Sequence, residues 1–286
     1  MNAAQAAAAV NISRVRDWRK GSSRLGAYLA FAFIGILAIA TVAPKVLTRT
    51  DPYATDPSAA FTGPTLAHVF GTDHAGRDVF SRIVYGTQQS LLIGVLATTI
   101  GLIGGLVLGL GSALGPRAAD LVLGRIIEVM FAFPVILTAL MLISILGSGA
   151  GPLIVAVGVG VIPDTARLIR AQALKVRSMD YVVASRALGR SKAQVVARTV
   201  VPNVARPIFV IATIGLGQTI LAASGLSFLG LGAPPPSPEW GTMLADGRDY
   251  LLIAWWISFF PGMAIVLTVL SLTVGARHLQ RRLEHR

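Results

Sequence analysis

Six stretches of this chain are too long and too apolar to be parts of a water-soluble domain, and they constrain everything else. They run from about Leu25 to Ala43, Leu91 to Leu114, Val122 to Leu146, Leu153 to Leu168, Ile208 to Leu231 and Leu251 to Val274. About twenty apolar residues in a helix cross the hydrocarbon core of a bilayer, where only helices and closed barrels satisfy every backbone group. The predicted architecture is therefore an all-α membrane protein with six transmembrane helices. Charged residues make up 13% of the chain, against ~25% in soluble domains. There is no cysteine, which excludes a disulfide framework and a thiol catalyst.

A formal charge of +12 could suggest nucleic acid, but the basic residues fall in the gaps between apolar runs. With the amino terminus inside, twenty of the 25 Lys and Arg lie in inner segments and five in outer ones, the asymmetry that orients membrane proteins. Both termini are thus expected in the cytosol, with no nucleic-acid partner. The expected divisions are a cytosolic arm over 1–24, a first transmembrane helix over 25–47, an extracytoplasmic loop over 48–89, a five-helix core over 90–274 and a cytosolic tail over 275–286. No cleaved leader is expected, since the first apolar run is long enough to span and lacks a small-residue cleavage site. Spans two to five carry glycines, among them Gly101, Gly104, Gly105 and Gly109, which fit close helix approach.

Between the fourth and fifth spans lies a cytosolic loop over 178–203 with dense helix punctuation. Ser178 precedes a helical pattern as its cap, and Asp180 stands in the first turn, where the helix dipole favours a carboxylate. Gly189 ends that helix by taking positive φ. Ser191 and Gln194 form a capping box for the next helix, and Pro202 stops it. The reading is two short helices joined by a glycine elbow. It suits either a docking surface for another protein or an amphipathic pair at the lipid surface.

Two polar motifs flank the spans on the other side. Gly71-Thr72-Asp73-His74-Ala75-Gly76-Arg77-Asp78 is a turn leading into an apolar helix. Its two carboxylates and one histidine are too few for a metal site, and loop carboxylates more often cap and pair with arginines. Pro238-Glu239-Trp240-Gly241 follows a proline run after the fifth span, with Trp240 placed to sit at the membrane interface. Glu128 is read as the one clear charge inside the spans, too shallow and too solitary for a proton-coupled carrier.

These motifs resemble those of the dipeptide, oligopeptide and nickel permeases of the DppC/OppC type, inner-membrane subunits of ABC importers. Thr72, Asp73, Gly76, Arg77 and Asp78, after Gly71, match that family's segment before the second span, and Pro238, Glu239, Trp240 and Gly241 match its segment after the fifth. The elbow is similar to the family's EAA loop. Val183, Ala184 and Ser185 occupy the Glu-Ala-Ala triplet, Ala187 and Leu188 lead to the glycine at Gly189, and Pro202 takes the closing proline. Valine replaces the glutamate and serine the second alanine, and Gly275-Ala276 stands where the family usually has Gly-Asp. The resemblance implies a type I (MetI-like) importer permease fold and an EAA-like loop that couples to ATPase subunits, through Ser191 and Gln194 among others.

It also implies the partners: a second permease of the DppB/OppB type, two ABC ATPase subunits that bind ATP and Mg, an extracytoplasmic binding protein, a peptide cargo and the lipid of a bacterial inner membrane. The chain itself has no phosphate-cradling GxxxxGK[ST] motif, no HExxH and no catalytic triad, so no catalytic residue, metal or cofactor is expected in it. Nickel or haem carried by the same machinery is an alternative cargo. A stand-alone secondary carrier is the alternative from another class, but it predicts internal repeats and midplane polar sites.

Overall fold

The computed structural model describes residues 25–284. The expected arm over 1–24 lies outside the described residues. The chain is helical: α1 (Leu25–Val42), α2 (Val79–Leu114), α3 (Arg117–Phe131), α4 (Val135–Leu146), α5 (Ala150–Gly160), α6 (Ile162–Arg177), α7 (Asp180–Ala187), α8 (Lys192–Val195), α9 (Val201–Phe228), α10 (Trp240–Arg248) and α11 (Trp256–Glu284). Five helices or helix pairs are long and apolar enough to cross a membrane, and α3 with α4 makes a sixth if the bent pair is one span.

Hydropathy located the spans and misplaced several ends. The second begins at Val79, not near Leu91, because Asp78 caps it and its polar first turns find partners in the neighbouring loops. The expected loop over 48–89 therefore ends in helix. The third is not one rod: α3 and α4 meet at 87°. Pro134 lacks an N–H to donate and turns Phe133 away from helical geometry, so the break falls there. The fourth continues beyond Leu168 to Arg177 as α5 and α6, broken at Val161 before Pro163. The sixth starts at Trp256 instead of Leu251, and runs through the expected tail boundary at 275 to Glu284.

Packing rests on the small residues. A Cβ on Gly104 would stand 2.7 Å from Ile162, on Gly105 2.6 Å from Thr165, and on Gly109 2.6 Å from the Ala166 carbonyl; on Gly101 it would overlap Val161. One glycine stripe of α2 thus seats α6 at backbone distance. Lipid gives helices no hydrophobic reason to associate, so this contact area is what holds them. At one end of the bundle Ile169, Val176, Val182, Val195, Val200 and Val204 form a buried cluster. At the other, Val79, Met243, Trp256 and Ile257 form a second.

Candidate functional site

The end of the bundle that carries both polar motifs is a cap whose charged groups point inward. The Asp73 carboxylate accepts the Ala75 and Arg77 N–H groups at 2.8 and 2.9 Å. It also accepts Arg77 Nε at 2.6 Å and lies 3.6 Å from Arg82 Nε. Arg82 in turn donates to the carbonyls of Pro52, Pro236 and Ser237, joining three chain segments. Asp78 caps α2 at Ser81 N–H (2.8 Å) and meets His68 Nδ1 at 3.0 Å. Gly71 and Gly76 both take positive φ, and a side chain on Gly76 would strike the Asp56 carbonyl.

The second motif closes onto the first. Glu239, 1% exposed, caps α10 by accepting from Gly241 and Thr242 N–H at 2.9 Å each. Trp240 is fully buried, with its indole N–H donating to the Ile83 carbonyl at 3.0 Å. The expectation of an interfacial Trp240 is therefore corrected: the ring is enclosed against α2, and its N–H shares the Ile83 carbonyl with the Thr87 hydroxyl, a bond that satisfies the indole away from water. Pro238 is buried, and Gly241 lets α10 approach the Ser224 carbonyl of α9, 2.6 Å from where a Cβ would be. Burial pushes the Asp246 carboxyl of α10 up, against the pull of Arg82 and His74. Among the described residues no group of His, Asp and Glu is arranged to hold a metal ion.

The opposite end carries the elbow. Gly189 joins α7 to α8 at φ 82°, as expected. The Ser191–Gln194 capping box is present in both directions, with Gln194 N–H donating to Ser191 Oγ and Ser191 N–H to Gln194 Oε1. Two expectations fail. Ser178 does not cap α7; its hydroxyl returns to the Lys175 carbonyl and closes α6. Pro202 does not stop a helix, since α8 passes through a π turn at Val196–Val200 directly into α9, with Pro202 in the first turn of α9. Pro202 follows closely on the π turn, where the ladder already departs from regular α spacing, and proline is accommodated there.

Val182, Val195 and Val200 pin the elbow to α6, while Val183, Ala184, Ala187, Leu188, Ser191, Gln194 and Pro202 face outward. Leu188 is 82% exposed and Val183 57%. Ser185 alone of the expected coupling residues is buried, and its hydroxyl has no partner among the described residues. The place of the second alanine in the related loop, Ser185, thus faces the protein, while the places of the first alanine and of the missing glutamate, Ala184 and Val183, face out.

Midway between the two ends α2, α6 and α9 line a cavity of about 310 Å³ that opens onto the surface of the chain, bordered by Thr98, Asp164, Thr165, Gly215, Gln218 and Thr219 among others. Thr98 and Thr219 bond each other at 2.7 Å, and Thr165 bonds the Val161 carbonyl. The expectation that Glu128 is the one charge inside the spans is corrected here. Glu128 is exposed and pairs with Arg125 at 3.0 Å, whereas Asp164 lies at the middle of the Ala150–Arg177 span. The legible signal was Pro163-Asp164 in the centre of an apolar run, which hydropathy averaging erased.

Residues 101–285 match the family described as binding-protein-dependent transport system inner membrane component. The chain is 38% identical to the dipeptide transport system permease protein DppC of Alkalihalophilus pseudofirmus, covering 90% of this chain and 86% of the relative. It is 34% identical to the di/tripeptide transport system permease protein DppC of Pseudomonas aeruginosa, over 93% and 90%. It is 38% identical to the glutathione transport system permease protein GsiD of Pectobacterium atrosepticum, over 89% and 85%. Among solved structures, an amino acid ABC transporter with histidines superposes with a TM-score of 0.58 at 17% identity, covering 71% of this chain and 94% of the other. The inward-facing MetNI methionine ABC transporter gives 0.58 at 20% identity, over 70% and 95%. These last two carry the fold.

Proposed function

Because the chain belongs to the family of binding-protein-dependent transport system inner membrane components, we propose that it is the permease subunit of an ATP-driven importer of di- and oligopeptides. The observation that carries the cargo is the run of relatives, 34–38% identical along about nine tenths of the chain, whose names specify dipeptide, di/tripeptide or glutathione transport. The chain is a multi-pass inner-membrane protein. The basic-residue asymmetry supports placing both termini and the elbow in the cytosol.

In this reading a second permease completes the path, two ATPase subunits bind ATP and Mg, and a binding protein delivers peptide from outside. The exposed face of the elbow, with Val183 and Leu188, is the seat for an ATPase subunit. An apolar surface of this kind at a water-facing end is stable when a partner covers it. Closure of the ATPases on ATP moves the elbow, and α8 through α9 carries the movement to Gly215 and Gln218 without an intervening loop. A switch of this sort needs contacts that differ between its two states, and the elbow supplies them. The cap motifs are buried, so they hold the ends of α2, α9, α10 and α11 together, and the binding protein docks on loop residues around them.

The test is affinity purification of the tagged chain in mild detergent, mass spectrometry of what accompanies it, and reconstitution with the binding protein in liposomes. Recovery of a second permease and P-loop ATPases, with ATP-dependent uptake of a dipeptide, is expected. Recovery of the chain alone, transporting without ATP, would overturn the reading.

A further inference from the structure

The mid-depth cavity contains two polar side chains without a side-chain partner among the described residues, one of them, Asp164, in the first turn of α6, where the helix dipole favours a carboxylate. Asp164 sits at the midpoint of the Ala150–Arg177 span, and Gln218 near the midpoint of the apolar stretch Val210–Phe228. Both are exposed on the surface of the isolated chain. Among the described residues Asp164 has no ion-pair partner. The cation one turn along its own helix, Arg167, lies over the Phe131 ring at 5.0 Å instead. The threonines of the same cavity have partners, so the carboxylate and the amide are what it offers to an occupant.

A carboxylate at the centre of a bilayer costs about 3 kcal/mol even on the mildest scales, so such groups face a bundle interior or a water-filled cavity. The α6–α9 face bearing Asp164 and Gln218 therefore faces the path and not lipid. A single unpaired negative charge beside an amide suits a cationic amine with hydrogens to donate. At about 310 Å³ the cavity is at the low end for small-ligand sites (~300–1,000 Å³). It has room for the leading end of a peptide and not for a long one. We propose that Asp164 receives the free amino terminus of the peptide halfway along the path, with Gln218 as the neighbouring hydrogen-bonding group. One charge, without a second ion pair, gives a hold weak enough for release, as conduction requires.

This assignment rests on the peptide-importer reading, and the test separates the two. The permease–ATPase complex, without binding protein, is placed in nanodiscs with a dipeptide or its N-acetyl analogue, and saturation transfer from protein to peptide is recorded by NMR. Transfer to the free-amine dipeptide is expected, with loss for the N-acetyl analogue. The signal should also be lost in Asp164→Asn and kept in Asp164→Glu. Equal transfer to both peptides, no transfer in the wild type, or an unchanged signal in Asp164→Asn overturns the assignment. If Asp164→Asn does not assemble, the contrast between the two peptides on the wild-type complex decides alone. Wild-type uptake of dipeptide in liposomes, combined with any of those negative results, removes the Asp164 site and leaves the importer standing. Absence of uptake with binding protein and ATP removes both.

Discussion

At the cap end, Thr72, Asp73, Arg77, Asp78, Glu239 and Trp240 are all buried, and each makes at least one hydrogen bond or ion pair within the protein. At the elbow end, Val183, Leu188, Ser191, Gln194 and Pro202 are exposed, and Val182, Val195 and Val200 anchor the segment that carries them. Both regions carry motifs that resemble the same family, so motif strength does not distinguish them. Burial does. A motif turned inward holds helix ends in register, and one turned outward is available for contact with another molecule. The outward motif also departs more from the family pattern, at Val183 and Ser185, whereas the inward one matches at every position compared.

Substitutions can break this contrast, beginning at the cap. Trp240→Ala removes a fully buried ring and its bond to Ile83, and should cost about 3–5 kcal/mol, read as a lowered thermal midpoint of the purified complex in detergent. Gly189→Val meets no neighbour within 4 Å but must hold φ near 82°, at a local cost of about 1–3 kcal/mol. Membrane insertion should survive while ATPase subunits no longer co-purify; normal uptake by that variant would sink the coupling role of the elbow. Ser191→Ala loses the capping box for about 1 kcal/mol, and should speed amide exchange in α8 with no change at the cap.

The smallest expected effect is pH-dependent. Asp246 has a folded pKa raised above its ordinary value of 3.8. Its contribution to stability is present below 3.8 and lost as pH rises through the raised value. Asp246→Asn should therefore flatten the slope of thermal midpoint against pH on that side, while wild type declines there. Parallel curves for the two proteins would show that burial of this carboxyl does not bear on stability.

What the residues disclosed in advance was local or periodic. Span positions follow from uninterrupted apolar runs, and Gly189 and the Ser191–Gln194 box follow from chemistry within four residues. Pro202 was misread because proline just inside a helix and proline just after one look alike in sequence. Trp240 was misread for a similar reason: an indole that anchors at an interface and one that fills a cavity have the same neighbours in the chain, and only the distant Ile83 carbonyl separates them. Asp164 escaped because a window of eighteen or more residues dilutes one charge, and its meaning depends on α9 bringing Gln218 to the same cavity.

The π turn at Val196–Val200, where Val201 N–H reaches back five residues to the Val196 carbonyl, fixes an angular phase. An α-helix turns about 100° per residue, and a π turn accommodates one residue more than the regular ladder. Shortening the chain by one residue within this turn lets it relax to α geometry, and leaves Gln218 pointing as before. The same deletion anywhere in Val201–Ile214 would rotate everything on one side of it by about 100° relative to the other. The elbow and the wall of the cavity are thus set to a common clock, and this turn is the place where the sequence can lose a residue without resetting it.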